Sequence, residues 1–334
     1  MNIPVIAFFN NKGGVGKTSL VYHAAHMIAE LGCRVVAADL DPQGNLSAAC
    51  LEEDRLEQLW PENRDVPTIF GAVHPLKRGV GDVMQPLLET VAENLALIPG
   101  DMALSEFEDD LSQMWSKCLD RDERAFRVMS AFWRVIQSGG EKHNARVILI
   151  DLGPNLGAIN RAALIAAESV VIPVGPDLFS LQGLRNLGPR LLSWRTEWKE
   201  RLDKNPVADL RLPEGRMNPI GYIVMQHSVR RDRPVKSYEK WIARIPQAYR
   251  RYVLDQSGRA SPSLREDEHC IALLKHYRSL MPMAQEARKP IFQLKPADGA
   301  LGAHAVAVQD AYRDFRQLAE GILHRAGVCA HRVV

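Results

Sequence analysis

Val5-Ile6-Ala7-Phe8-Phe9-Asn10-Asn11-Lys12-Gly13-Gly14-Val15-Gly16-Lys17-Thr18-Ser19 is an apolar run that breaks into glycines, reaches a lysine and a threonine, and passes straight into a helical pattern. A short run of β-branched and aromatic residues bounded by turn residues reads as a buried strand. Glycines let the backbone curl so that successive N–H groups face an anion, and the helix that follows adds its positive end. Lys17 can then reach β- and γ-phosphates while the Thr18 hydroxyl holds Mg²⁺. A glycine turn with a chance lysine would not explain why strand, loop, Gly-Lys-Thr and helix follow in the order that phosphate binding requires. The stretch predicts a nucleotide-binding loop with Gly13, Gly14, Val15, Gly16, Lys17, Thr18 and Ser19 at the polyphosphate.

Outward from this loop, short apolar runs alternate with amphipathic stretches. Val5 to Phe9, Arg34 to Leu40, Leu95 to Pro99, Arg146 to Asp151, Ser169 to Val174 and Ile220 to Met225 read as buried strands. Thr18 to Leu31, Met102 to Ser138, Ala158 to Glu168, Leu181 to Leu202, Cys270 to Tyr277 and Ala303 to Arg325 read as helical. Parallel neighbours need a crossover of about a dozen residues, so this alternation predicts an α/β fold with a doubly wound, mainly parallel sheet flanked by helices. The expected organisation is a single domain over 1–334, interrupted by a basic, helical insert at 229–268.

The 334 residues, 46% hydrophobic and 25% charged, exclude disordered, collagenous and coiled-coil classes. Lys and Arg number 42 against 40 Asp and Glu, which also excludes a uniformly basic coat. The balance is uneven, however: Arg230 to Arg265 holds ten Lys/Arg and three acids, a net charge of +7 that leaves −5 for the rest. No apolar stretch is long enough to span a bilayer, and the start lacks the pattern of a signal peptide, so a cytoplasmic protein is expected. The five cysteines are scattered without a C-x-x-C, suggesting neither a disulfide framework nor a zinc site.

Two further strand ends carry acids. Asp39-Leu40-Asp41-Pro42-Gln43-Gly44-Asn45 closes the second strand, and Arg146-Val147-Ile148-Leu149-Ile150-Asp151 is an apolar strand ending in a carboxylate. At the C-terminal edge of a parallel sheet such carboxylates face the phosphate loop and can orient water or support a hydrated metal. A turn using these residues for their turn propensities is the plainer alternative for Asp39 to Asn45. The usual phosphate loop has glycine where Asn11 stands, and Lys12 adds a second lysine. This K-G-G-V-G-K-T form resembles the deviant loop of the ParA/MinD family of P-loop ATPases, and D-x-D-P-Q-G-N resembles ParA proteins in the same order. Leu152-Gly153-Pro154-Asn155-Leu156-Gly157 resembles the family's switch-like loop except that Gly153 replaces a proline, and Leu181-Gln182-Gly183-Leu184 and Leu280 to Ala287 resemble its later segments.

The resemblance implies a Mg²⁺-dependent ATPase in which Lys12 crosses a dimer interface to the partner's nucleotide, Lys17 and Asp41 complete the catalytic set, and Asp41 orients the attacking water. It places Thr18, Asp39 and Asp151 around the metal, with Arg230 and Pro282 toward the base. The family's acidic or amide partner for adenine is absent, Ser228 standing in that region. A homodimer formed with ATP, nonspecific DNA and an adaptor or cargo protein that stimulates hydrolysis are the implied partners. The C-terminal residues lack the bulky apolar face of a membrane anchor.

In the insert, Arg231, Arg233, Lys236, Arg250 and Arg251 are candidate DNA contacts, since phosphate binding needs only cations on one face. The plainer alternative is a helical hairpin whose aromatics, Trp241, Tyr249 and Tyr252 among them, pack on the domain while its basic face is solvated. Trp115, Phe126 and Trp133 offer a second choice between adaptor surface and core, and His23 and His26 read as structural or surface residues. Two other functions stay open: a MinD-like or regulatory switch that recruits a protein without DNA, and a metabolic P-loop phosphotransferase.

Overall fold

The computed structural model describes residues 2–61, 66–225, 240–256, 263, 264 and 266–328. Its frame is one eight-stranded sheet in the order β3-β4-β2-β5-β1-β6-β7-β8. The strands are β1 Val5–Phe8, β2 Val35–Asp39, β3 Glu89–Ala92, β4 Leu95–Ile98, β5 Val147–Asp151, β6 Ser169–Val174, β7 Asn218–Met225 and β8 Cys270–Leu274. All pairings are parallel except β3 with β4, a short antiparallel edge.

Successive residues of a strand face opposite sides of the sheet, which makes each central strand feed two cores. Val5 and Ala7 face one layer, built from α4 Ile69–Arg78, α5 Glu108–Lys117, α6 Glu123–Met129, α7 Ala131–His143, α8 Ala158–Ile165 and α9 Leu178–Leu202. Ile6 and Phe8 face the other, formed by α1 Lys17–Glu30, α2 Asn45–Cys50, α3 Glu53–Leu59 and the C-terminal helices. These are α11 Leu280–Ala287 and α12 Ala303–Arg325, while α10 Ile245–Ala248 is a short turn continued by a π-turn at Tyr249–Val253. Burial on both faces explains why β1 is continuously apolar and why β2 and β5 are apolar up to their terminal Asp39 and Asp151.

Two expectations are corrected. Cys270 to Tyr277 contains the edge strand β8, whose alternation of buried Ile271 and exposed Leu273 mimics a helical stripe in so short a run. Met102 to Ser138 is not one helix: a 3₁₀ turn, α5, a second 3₁₀ turn, α6 and the start of α7 share it, with Arg121 in the left-handed region at φ 59° and Asp122 capping α6. Of the insert, residues 240–256 hold short helical turns, and the remainder needed to judge a hairpin lies largely outside the described residues. Trp115, Phe126 and Trp133 are buried, so these aromatics are core. No helix among the described residues is long and apolar enough to cross a membrane.

Candidate nucleotide site

The loop from Asn10 to Gly16 leaves β1 at the centre of the sheet and enters α1 at Lys17. Gly14 and Gly16 take φ of 71° and 84°, a region that side chains resist, and a Cβ on Gly14 would meet nothing within 4 Å. The backbone is therefore curled around open space at the N-terminus of a long helix. Lys17 is buried and its Nζ donates to the Lys12 carbonyl at 3.2 Å. Burial lowers its pKa, opposed by the charges of Asp151 and Asp41. Asn10 anchors the loop from below, donating to Pro173 O at 2.6 Å and accepting from Lys12 N at 3.0 Å.

Three aspartates meet beside the loop. Asp39 and Asp151 are register partners at the ends of β2 and β5, and both are fully buried. Asp151 Oδ1 accepts from Leu152 N at 3.1 Å, while its Oδ2 has no hydrogen-bond partner among the described residues. Burial first, then the neighbouring Asp39, pushes its pKa up to about 8, against the opposing pull of Thr18 and Lys17. A buried, orphaned carboxylate oxygen beside a threonine hydroxyl and a lysine suits a divalent cation, so these residues fit Mg²⁺. Among the described residues no group of three or more His, Cys, Asp or Glu could hold a metal ion by itself.

Asp39, expected to support the metal shell, is tied to its own chain. Its Oδ2 accepts from Ser47 N and Ser47 Oγ, both at 2.8 Å, and its Oδ1 from Asp41 N at 3.3 Å. Both oxygens help shape the turn that carries Asp41. Burial, countered by Ser47, raises its pKa to about 6. Ser47 Oγ in turn accepts from Gly100 N at 2.8 Å, and Trp60 Nε1 donates to Gly100 O at 2.8 Å. Asp41 itself is 6% exposed and accepts from Gln43 N at 3.1 Å. The replacement of proline by Gly153 has a steric reading here, because a Cβ at that position would sit 3.2 Å from Asp41 Oδ1.

Across the loop, Pro154 lies 3.9 Å from the place of a Gly13 Cβ, and Asn160 Nδ2 ties the segment by donating to Gly153 O at 2.9 Å and Asn155 O at 2.7 Å. At the opposite rim Lys12 Nζ pairs with Asp177 Oδ2 at 2.5 Å, while Asp177 Oδ1 caps α9 by accepting from Ser180 N at 2.9 Å. Lys12 pulls the Asp177 carboxyl below the usual range against the effect of its burial. Gly183 explains the L-x-G segment: a Cβ there would come 2.9 Å from Asn10 Oδ1 and 3.0 Å from Asn11 Oδ1, so α9 needs a glycine to approach the loop. Phe179 and Leu178 are exposed beside Lys12.

A groove of about 510 Å³ opens from Thr18 and Ser19, walled by Tyr22, Asn45, Met281 and Gln285. Pro282 is exposed on α11 and does not line it. Arg230, Arg231, Arg233 and Lys236 lie outside the described residues. Arg250 is corrected as a candidate DNA contact: its Nη2 lies 2.5 Å from Asp267, whose side chain is fully buried and also accepts from Tyr222 Oη at 2.7 Å. The ion pair lies within the insert, and the Tyr222 hydrogen bond ties its Asp267 end to β7. Arg251 is exposed and lines a separate groove of about 390 Å³ with Arg185, Arg244, Trp241 and Tyr252. His23 bonds Ser19 O at 2.6 Å and stacks on Phe315, and His26 is buried against Tyr22, which gives both packing roles.

Asp177 escaped the sequence reading, which began the helix at Leu181. An Asp three residues before Ser180 and followed by a helical pattern is the signal that would have found it. Ser47 and Asn160 carry no such signal, because their partners are set by tertiary contacts.

A family model described as an AAA domain matches residues 3–204. The chain is 33% identical over 183 residues to the sporulation initiation inhibitor protein Soj of Bacillus subtilis, covering 55% of this chain and 62% of that protein. It is 30% identical over 183 residues to the chromosome partitioning protein ParA of Caulobacter vibrioides, covering 55% and 60%. It thus spans about three fifths of the length of these relatives. Among solved structures, protein DIP2308 of Corynebacterium diphtheriae superposes with a TM-score of 0.70 at 23% identity, covering 97% of this chain and 98% of that one. Cobyrinic acid a,c-diamide synthase of Mycobacterium smegmatis, bound to an ATP analogue and magnesium, gives 0.52 at 22% identity over 96% and 94%. At such identities the two likenesses concern the fold.

Proposed function

The chain belongs to the P-loop ATPase family of ParA, MinD and Soj, and on that footing we propose that it is an ATP-driven dimerisation switch that grips DNA nonspecifically and resets by slow hydrolysis. Family membership implies ATP hydrolysis with Mg²⁺. The observation that carries the finer reading is the pairing of two lysines on one loop: Lys17 turned inward toward Asp151 and Asp41, and Lys12 held at the rim by Asp177.

In this proposal the N–H groups around Gly14 and Gly16 hold the polyphosphate, and Lys17 neutralises its terminal charge. Bound Mg²⁺ would supply Lewis-acid polarisation of the β- and γ-phosphate oxygens, held by Thr18 and by Asp151 through its orphaned Oδ2. Asp41, packed against Gly153, orients the attacking water. Lys12 leaves Asp177 and crosses to the nucleotide of a second copy, and the exposed Leu178 and Phe179 beside it become part of that contact. Asp39 acts by holding the Asp41 turn.

For the DNA partner, the groove of Arg185, Arg244 and Arg251 is the surface proposed, in place of Arg250. None of the three forms an ion pair among the described residues, and Arg244 and Arg251 lie 5.3 and 5.4 Å from the Trp241 and Tyr252 ring centroids. An adaptor or cargo protein, action in the cytoplasm, and a single ATPase unit that carries 229–268 as an insert belong to the same proposal. The test is ATP turnover and electrophoretic mobility shift of a random duplex, with and without ATP, for the wild-type chain and Lys17→Ala. ATP-independent or absent duplex binding would remove the DNA partner.

A second reading is favoured by the groove beside Thr18 and Ser19, which could seat a small acceptor in a phosphotransfer enzyme. It predicts turnover that rises with a small carboxylic acid and is indifferent to DNA.

A further inference from the structure

The helix that follows the switch-like loop is capped from a different helix. α8 starts at Ala158 after Gly157 and draws no side-chain cap from its own N-terminal flank. Glu108, the first residue of α5, supplies it: Oε1 accepts from Ala158 N at 2.5 Å and Oε2 accepts from Ile159 N at 2.8 Å. Both oxygens of one carboxylate thus satisfy adjacent N–H groups that a helix start leaves open, at the end where negative charge is favoured. Gly157 is fitted to this arrangement, since a Cβ there would lie 2.6 Å from Glu108 Oε1.

A second level of contact keeps α5 and α8 together. Arg161 Nη2 donates to Leu111 O at 3.2 Å and its guanidinium lies 4.4 Å from the Trp115 ring centroid. Upstream, the segment that leads into α5 begins at Gly100, which donates to Ser47 Oγ and whose Cβ, if present, would collide with Asp39 Cγ at 2.7 Å. Asp101 then accepts from Ala103 N and Thr68 Oγ1, both at 2.8 Å. One short strap from Gly100 to Glu108 therefore joins the clamp under the Asp41 turn to the first turn of α8. From there Asn160 reaches back to Gly153, which packs on Asp41.

We propose that Glu108 is a positioning residue for the ATP reaction: through the first turn of α8 it sets where the loop Gly153–Gly157 lies against Asp41 and the phosphate loop. This rests on the ATPase reading above. Glu108 touches no nucleotide in this role and acts only through the loop it holds.

The test uses the full chain with Glu108→Gln, Glu108→Ala and Gly157→Ala, which disturb the same contact from opposite sides. Two readouts are taken: kcat and KM for ATP, and hydrogen exchange of the amides from Leu152 to Ile159. Displacing a reacting group by about 1 Å can cost about a hundredfold in rate, so a fall in kcat of about tenfold or more is expected in Glu108→Ala, with KM held within about twofold. Glu108→Gln, which keeps one acceptor, should fall between Ala and wild type, and loop exchange should quicken in the same order. Gly157→Ala should mimic Glu108→Ala. Unchanged loop exchange in folded Glu108→Gln and Gly157→Ala would overturn the assignment, as would variants that lose thermal stability while keeping wild-type kcat. A wild-type chain without ATP turnover, whose loop still loosens in these variants, would instead sink the ATPase reading and leave the positioning contact standing.

Discussion

Lys12 Nζ and Asp177 Oδ2 stand 2.5 Å apart, so the second lysine of the phosphate loop is held within its own chain by the residue that caps α9. The pair is only partly exposed, with Lys12 at 27% and Asp177 at 9% of their side-chain surface, and such a contact contributes about 1 kcal/mol or less. Asp177→Asn keeps the helix cap but removes the charge. It should lower the ATP concentration needed for dimerisation by about twofold to fivefold, a ratio that corresponds to about 0.4–1 kcal/mol. Lys12→Ala should abolish the ATP-dependent dimer while leaving nucleotide affinity unchanged. Sedimentation at fixed protein and varied ATP reads both, and a Lys12→Ala chain that still dimerises removes the trans role.

Asp41→Ala should trap the nucleotide-bound state. Losing a group that orients a water or takes its proton typically costs about a hundredfold or more in rate. Turnover should therefore drop by about that factor while ATP affinity stays within about threefold. Single-turnover hydrolysis at wild-type rate in Asp41→Ala would take this residue out of the reaction.

Two adjacent arginines should behave differently. Arg250 is 11% exposed at its side chain and faces the fully buried Asp267, so Arg250→Ala strands a carboxylate and should cost about 3–5 kcal/mol. Arg251→Ala should stay within about 0.5 kcal/mol of wild type in stability. It should instead reduce the slope of log affinity against log salt for duplex DNA by about 0.9. Urea denaturation and anisotropy titrations at several salt concentrations separate the two, and equal stability losses would undo the assignment.

His26 should make the fold acid-sensitive. Burial first, then the neighbouring His23, lowers its pKa from 6.5 to about 4. Between those values the unfolded chain takes up a proton that the folded chain refuses, so stability falls as pH drops through this window. The loss between pH 7 and pH 4 should reach about 3 kcal/mol. His26→Phe, which keeps a ring against Tyr22, should lack this component. A variant whose urea midpoint falls with pH as steeply as wild type would remove His26 as its source.

Much of the sheet is legible in the chain because burial on both faces forces continuous apolar runs. Val147 to Asp151 needs no context to read as a strand, and the glycines before Lys17 announce their own geometry. β8 hides because an edge strand that buries one side gives a short, mixed pattern. Asp39 and Asp41 look alike in sequence, yet Ser47 claims one of them and leaves the other against Gly153. Glu108 gives no local signal either, since the N–H groups it satisfies come fifty residues later. Arg250 reads as one more surface cation until Asp267 is placed beneath it.

Helix α9 lacks a side chain at two of its contact points. Gly183 lets it press on Asn10 and Asn11, and Gly188 lets it press on the π-turn, where a Cβ would come within 1.8 Å of Tyr252 O. The two positions are about 7.5 Å apart along the axis and about 140° apart around it. Gly183 and Gly188 thus set how closely α9 lies against the phosphate loop on one flank and the π-turn on the other, and a side chain at either would push the helix off the surface it meets there.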